Sequence, residues 1–176
     1  MSFSPFENRL CRDIRNELSQ SFLAAIREKR MDRVEDTVVA LEQKKLEPFH
    51  REYIDNRLVK YRTILSLLES VPDDLFTTAC LIWDQALFFE CHEWLEPFWI
   101  RAKGNEKKLI QALIRAAAAY VLLEAGRKSG AKKSAEKALA FLSENRSAIP
   151  SIFRSDLLIS ALSTLDTPPP KLMSTH

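Results

Sequence analysis

The hydrophobic positions along the chain recur at helical intervals from the N-terminus to about residue 165. Within each segment, apolar residues return every three or four positions, which places them on one face of a helix. No segment shows the strict alternation of apolar and polar residues that is typical of a strand. The pattern predicts helices over the following segments: 5–29, 32–45, 49–69, 73–86, 87–101, 106–125, 129–143 and 147–165.

These helices predict an all-α protein, in which a compact helical bundle is preceded by an N-terminal helical arm. Only three glycines occur in 176 residues, and an all-β fold would need more of them for its tight turns. We expect the arm over 1–70 and the bundle core over 73–165. The remainder, 166–176, has no periodicity, so we expect an extended or disordered tail there.

The longest apolar stretch, 109–126, contains Gln111, Arg115 and Glu124. These polar residues favour a buried helix of a globular protein over a membrane span, so we expect no membrane association. The three cysteines include no CxxC pair, and the N-terminus lacks the apolar core of a signal peptide. We therefore expect a cytoplasmic protein with free, mostly buried thiols.

The formal net charge is only +2, but the charge is unevenly distributed. Residues 101–137 carry ten Lys or Arg and three Asp or Glu, a local charge of +7. The main interpretation is a solvated helical surface, and nucleic acid is not expected as a partner. The alternative is a patch that binds RNA or an acidic partner.

Residues 88–99, FFECHEWLEPFW, combine one histidine with three glutamates and five aromatic residues. On a helical wheel, His92 and Glu96 fall one turn apart in the middle of an apolar stripe. Glu93 falls at the edge of this stripe and Glu90 on the opposite side. Pro97 predicts a kink or a helix restart at Glu96.

The segment 106–125 is apolar almost all round, apart from a narrow stripe that contains Gln111 and Arg115. A buried polar stripe needs partners. We expect Arg115 to pair with Glu96 or Glu93, while Gln111 or the other glutamate holds His92. This pairing would be a structural polar network, hereafter the polar lock. Its predicted members are Glu90, His92, Glu93, Glu96, Gln111 and Arg115.

The alternative for the same motif is a metal-dependent, hydrolase-like site built from Glu90, His92, Glu93 and Glu96. The H-E-x-x-H pattern of zinc proteases needs a second histidine, and Glu96 stands in its place. We therefore predict no metal ligand, no cofactor and no catalytic residue, and leave open whether the protein is an enzyme. Cys91 and His92 are neighbours in sequence and point about 100° apart on a helix, so they are not expected to form a catalytic pair.

The motif resembles the signature of the domain of unknown function family 309, in which an F-E-A-H-E segment precedes a helix rich in glutamine and alanine. The resemblance covers about residues 75–145 and implies a small helical bundle without a known activity. Cys91 replaces the usual alanine, Ala112 a glycine and Arg115 a second glutamine. Leu122 stands where histidine often occurs, and Arg127 where asparagine often occurs. The signature positions are occupied by Phe88, Phe89, Glu90, His92, Glu93, Leu95, Glu96 and Trp99.

We interpret the protein as a helical binding or scaffold module. The arm over 1–70 carries more amphipathic surface than it needs to cover the bundle, which predicts a homo-oligomer, most simply a homodimer. His50 lies in the arm without a partner pattern, so we expect it at a surface or an interface.

Overall fold

The computed structural model describes residues 2–165 and 168–173. In this part of the chain every regular element is helical, apart from one isolated antiparallel bridge between Phe153 and Met173. The predicted all-α fold is confirmed. The α-helices are α1 Arg9–Glu28, α2 Asp32–Glu42, α3 Pro48–Leu68, α4 Leu75–Asp84, α5 Phe88–Arg101, α6 Gly104–Glu124, α7 Lys128–Leu142 and α8 Ser155–Thr164, with a 3-10 turn at Arg146–Ala148.

The chain divides into two compact units, Met1–Val71 and Pro72–His176. In the first unit, α1 packs against α2 and α3. Its buried face includes Ile14, Leu18 and Phe22, all fully covered. The Phe22 ring stacks on the ring of Tyr61 in α3 with 3.9 Å between centroids. Apolar side chains three or four residues apart therefore hold this unit together, as the periodicity predicts.

His50 is the buried polar residue that links α1 to the start of α3. The expectation of a surface position is wrong, because His50 is only 3% exposed. The backbone N–H of Glu47 donates to its Nδ1 at 3.0 Å, and its Nε2 lies 3.5 Å from Cys11 Sγ. Since Nδ1 accepts a hydrogen bond, the neutral ring carries its proton on Nε2, which donates to the sulfur.

In the second unit, α6 packs against both α5 and α7. No residue from 109 to 123 is exposed. Along α6, Ala112, Ala116 and Ala119 are at most 1% exposed, and α7 buries alanines of its own. Ser134 Oγ donates to the backbone oxygen of Arg115 at 2.9 Å and ties α7 to α6. Small side chains let the helices approach closely, so α6 forms the centre of the unit.

Three aromatic rings join α4, α5 and α6. The ring centroids of Trp83 and Phe88 are 4.9 Å apart, and each lies within 5.3 Å of the centroid of Tyr120. Two of the contacts are edge-to-face, which is a favourable arrangement for aromatic rings. This cluster fixes the start of α5 against the central helix.

Helix α5 runs through Pro97 without interruption. The predicted restart at Glu96 is therefore wrong. Proline removes one backbone donor, but neighbouring packing can hold the helix across that position. Here Trp94 is buried, and its indole N–H donates to the backbone oxygen of Leu75 at 3.1 Å. This contact with α4 holds α5 in place around Pro97, and the sequence pattern gave no sign of it.

The segment 168–173 is extended and lies against α4 and the residues that precede α8. Leu172 in this segment is 1% exposed. Within the described residues, no helix is long and apolar enough to cross a membrane.

Replacing His50 tests its role in the first unit. His50→Ala removes the acceptor of the Glu47 N–H and the partner of the Cys11 thiol. We expect it to lower the free energy of unfolding by about 1–3 kcal/mol in denaturant titrations. His50→Gln should lose less, because an amide oxygen can accept the same N–H. Asp55→Ala, at an exposed position of α3, is the control and should stay within about 0.5 kcal/mol of wild type. A similarly small loss for His50→Ala would contradict the assignment.

Candidate functional site

The buried face of α5 consists of Phe88, Glu90, Cys91, Trp94 and Leu95. The wheel predicted a different face, with His92 and Glu96 at its centre, so that prediction is wrong. The side chains of His92 and Glu93 retain 28% and 31% of their full exposure. Aromatic residues occur all around α5, so apolar character alone did not show which side faces the core.

Glu90 is the member of the motif that the fold buries completely, at 0% exposure. The sequence placed it on the side away from the apolar stripe. Instead it shares the interior with Cys91 and Trp94. Its burial places this carboxyl group in the core, whereas the other polar members of the motif stay partly exposed.

His92, Glu93 and Glu96 form a cluster on the partly exposed side of α5, hereafter the His-Glu cluster. One potential ligand atom from each residue lies within 4.8 Å of the other two. His92 Nδ1 is 3.2 Å from Glu93 Oε1. A carboxylate only accepts hydrogen bonds, so this contact places the proton on Nδ1 and leaves the lone pair of Nε2 available in the neutral ring.

Gln111 and Arg115 lie on α6, and both are partly buried. Among the described residues, no hydrogen bond or ion pair joins Arg115 to Glu93 or Glu96, or Gln111 to His92. The structure thus brings together three of the six predicted network residues, places Glu90 in the core, and leaves the two α6 residues outside the cluster. One basic side chain of α6, that of Lys107, does approach α5, and its Nζ lies 5.1 Å from the Trp99 ring centroid.

The family model of a domain of unknown function, DUF309, matches residues 76–134. The resemblance to this family is therefore confirmed over residues 76–134. No curated protein and no solved structure matches the chain. The matched segment includes the whole of α5 and α6 and the first half of α7, so it covers the central helix and the His-Glu cluster together.

The two cysteines within the matched segment, Cys80 and Cys91, are buried and protected from reaction. Cys80 and Cys91 are both free and at most 3% exposed. Burial raises the pKa of both thiols, and the nearby carboxyl groups of Asp84 and Glu90 respectively act in the same direction. Since the thiolate is the reactive form, neither residue is placed to act as a nucleophile. The prediction of free, buried cysteines is confirmed, and Cys11 in the first unit is buried as well.

The basic region 101–137 offers little to a nucleic acid beyond charge. Its only aromatic residue is Tyr120, which is 1% exposed. Recognition of single-stranded RNA generally uses exposed aromatic rings on which bases stack. A helical surface with solvated lysines therefore remains the simplest interpretation of this region.

The polar lock and the observed arrangement predict different effects of changing Arg115. If Arg115 neutralised a buried carboxylate, Arg115→Ala would cost roughly 3–5 kcal/mol. Without such an ion pair, we expect Arg115→Gln, which keeps much of the side chain, to change the free energy of unfolding by no more than about 0.5 kcal/mol. Urea titrations measure the difference, and Lys108→Gln, at an exposed position of α6, is a matched control. A loss of about 3 kcal/mol or more in Arg115→Ala, with a smaller loss in Arg115→Gln, would restore the polar lock.

The raised thiol pKa values predict a loss of stability in alkali. The folded chain holds these protons more tightly than the unfolded chain, in which thiols ionise near pH 8.5. This contribution is complete below that pH and decreases as the pH rises above it, by about 1.4 kcal/mol per pH unit for each thiol. Denaturant titrations between about pH 7 and pH 10 should show it, and Cys91→Ala should reduce the slope. An unchanged slope in that variant would contradict the assignment.

Proposed function

We propose that the DUF309 domain of this chain is a binding module that holds one divalent cation at the His-Glu cluster. The single observation that carries the proposal is the convergence of ligand atoms from His92, Glu93 and Glu96 within 4.8 Å. Their partial exposure supports it as well, because a cation and its water can reach them. In this proposal His92 and Glu96 are the ligands and Glu93 positions the imidazole. The proposal departs from the sequence-based expectation of no metal ligand, which rested on the missing second histidine of the H-E-x-x-H pattern.

The chemistry of these residues suits zinc or a similar transition metal. Imidazole nitrogen and carboxylate oxygen are both common zinc ligands. Residues four apart on a helix lie on the same face, so His92 and Glu96 can meet one ion without distorting α5. The hydrogen bond from Nδ1–H to a carboxylate is the usual way in which a ligating histidine is oriented, and Glu93 supplies that carboxylate.

The remaining coordination positions of the ion would be filled from outside the cluster. Two ligands from one helix leave at least two positions of a tetrahedral site to water or to donor atoms of a partner. A cation on an exposed helix face would therefore act as a bridge, which is consistent with a binding or scaffold role. Glu90 is buried and is not part of the His-Glu cluster, so the hydrolase-like arrangement that needs it as a fourth member is not supported.

A structural role of the same residues makes a distinct prediction. If the cluster served mainly as a polar lock, removing His92 or Glu96 would destabilise the metal-free protein. If it serves as a cation site, the same changes leave metal-free stability nearly unaltered and abolish the added stability that the ion provides. Binding to the folded state alone contributes about 2.7 kcal/mol at a free ion concentration one hundred times the Kd.

Calorimetric titration of the purified chain with zinc tests the proposal. We expect one equivalent to bind, with the affinity reduced at least a hundredfold in His92→Ala and in Glu96→Gln. Glu93→Gln should weaken binding by roughly 10- to 100-fold, the usual effect of losing a group that orients a ligand. Glu106→Gln, an exposed acidic residue of α6, is the control and should bind as wild type does. Absence of saturable binding, or binding that persists in His92→Ala, would overturn the proposal.

A further inference from the structure

The extended segment 168–173 is held in the second unit by its backbone, in the manner of a bound peptide. The N–H of Leu172 donates to Asp84 Oδ1 at 2.6 Å, and the N–H of Met173 donates to Asp84 Oδ2 at 3.2 Å. The carbonyl oxygen of Leu172 accepts from the N–H of Arg154 at 2.8 Å. Main-chain bonds on both sides of one residue are the way in which extended peptides are commonly recognised.

The side chain of Trp83 binds the proline-rich half of the segment. The indole N–H of Trp83 donates to the carbonyl oxygen of Pro170 at 2.9 Å. Residues 168–170 are three consecutive prolines, which favour an extended conformation and offer only carbonyl oxygens as backbone hydrogen-bonding groups. A side-chain donor for such a carbonyl suits a proline-rich ligand, because little conformational freedom is lost on binding.

Side chains along the segment divide between groove and solvent. Leu172 is 1% exposed and anchors the segment, whereas Lys171 is exposed and its ammonium group contacts the backbone oxygen of Asp84. In an extended chain, successive side chains point to opposite sides, so a buried residue next to an exposed one is expected for an extended ligand. The groove, hereafter the tail groove, comprises Trp83, Asp84, Phe153 and Arg154.

Asp84 is the acceptor that holds the segment, and it is partly buried. Burial raises the pKa of this carboxyl group, and the N–H groups of Leu172 and Met173 oppose that shift.

We propose that the tail groove is a peptide-binding site for an extended Pro-Pro-Lys-Leu segment, which residues 168–173 occupy within the same chain and for which the same segment of a second copy competes. The tether keeps the chain's own segment at a high effective concentration, of the order of millimolar for a short linker. The intramolecular ligand therefore blocks the site until it is displaced.

Peptide binding to a full-length variant tests this inference. Leu172→Glu places a charge on the buried anchor and should release the segment, while Leu157→Glu makes the same change at an exposed leucine of α8 and serves as control. A fluorescent peptide with the sequence of residues 168–173 should bind Leu172→Glu at least tenfold more tightly than it binds wild type or Leu157→Glu. A peptide in which glutamate replaces leucine should bind none of the three detectably.

Two results would overturn the inference. One is that folded Leu172→Glu binds neither peptide, or binds both equally. The other is that wild type binds the first peptide as tightly as Leu172→Glu does, since its tail groove should be occupied. Hydrogen exchange of the wild-type chain provides a measurement that does not depend on the variant. The amides of Leu172 and Met173 should exchange at least a hundredfold faster than those of the α6 core, and equal protection would show that the segment does not open by itself.

Discussion

The close packing of α6 is the constraint on which the second unit depends. Every position from 109 to 123 is at least partly covered, and the buried alanines of α6 and α7 leave little space between the two helices. Protein interiors of this kind tolerate few changes of volume. Because α6 is held between α5 and α7, the rotation of α5 about its own axis is also fixed, and with it the choice of which motif residues face the core and which face the solvent.

The sequence predicted the helices well because helical periodicity is a local property. Each predicted helix corresponds to an observed helix, and the boundaries agree within four residues except in the last one, which begins at Ser155 instead of residue 147. The rotation of α5 was a different problem. Its aromatic residues occur on every side, and the wheel placed His92 and Glu96 in the middle of the apolar stripe. The packing of Trp94 on α4 and of Phe88 on Tyr120 turns a different face to the core. His50 was misplaced for a related reason, since its partners Cys11 and Glu47 are brought to it by the tertiary fold.

The candidate site was predicted in composition but not in geometry. The spacing of His92 and Glu96 was enough to place them one turn apart, and the motif resemblance pointed to the same residues. The contact between His92 and Glu93 involves side-chain rotamers, which sequence periodicity does not determine. The separation of Glu90 from the others follows from its place on the buried face of α5. One short motif therefore supplies a residue to the interior and three residues to a surface cluster.

The alanine face of α6 also has a consequence for how this domain can change over time. At Ala112, Ala116 and Ala119, which are at most 1% exposed, a larger side chain would have to displace its neighbours, so these positions admit little besides alanine, glycine or serine. The solvent-facing side of α5 carries no such restriction of volume. A lineage of such domains can therefore keep one architecture through its small residues while the chemistry on the outer face of the adjacent helix diversifies, and a shared fold in this group of proteins is weak grounds for assuming a shared ligand.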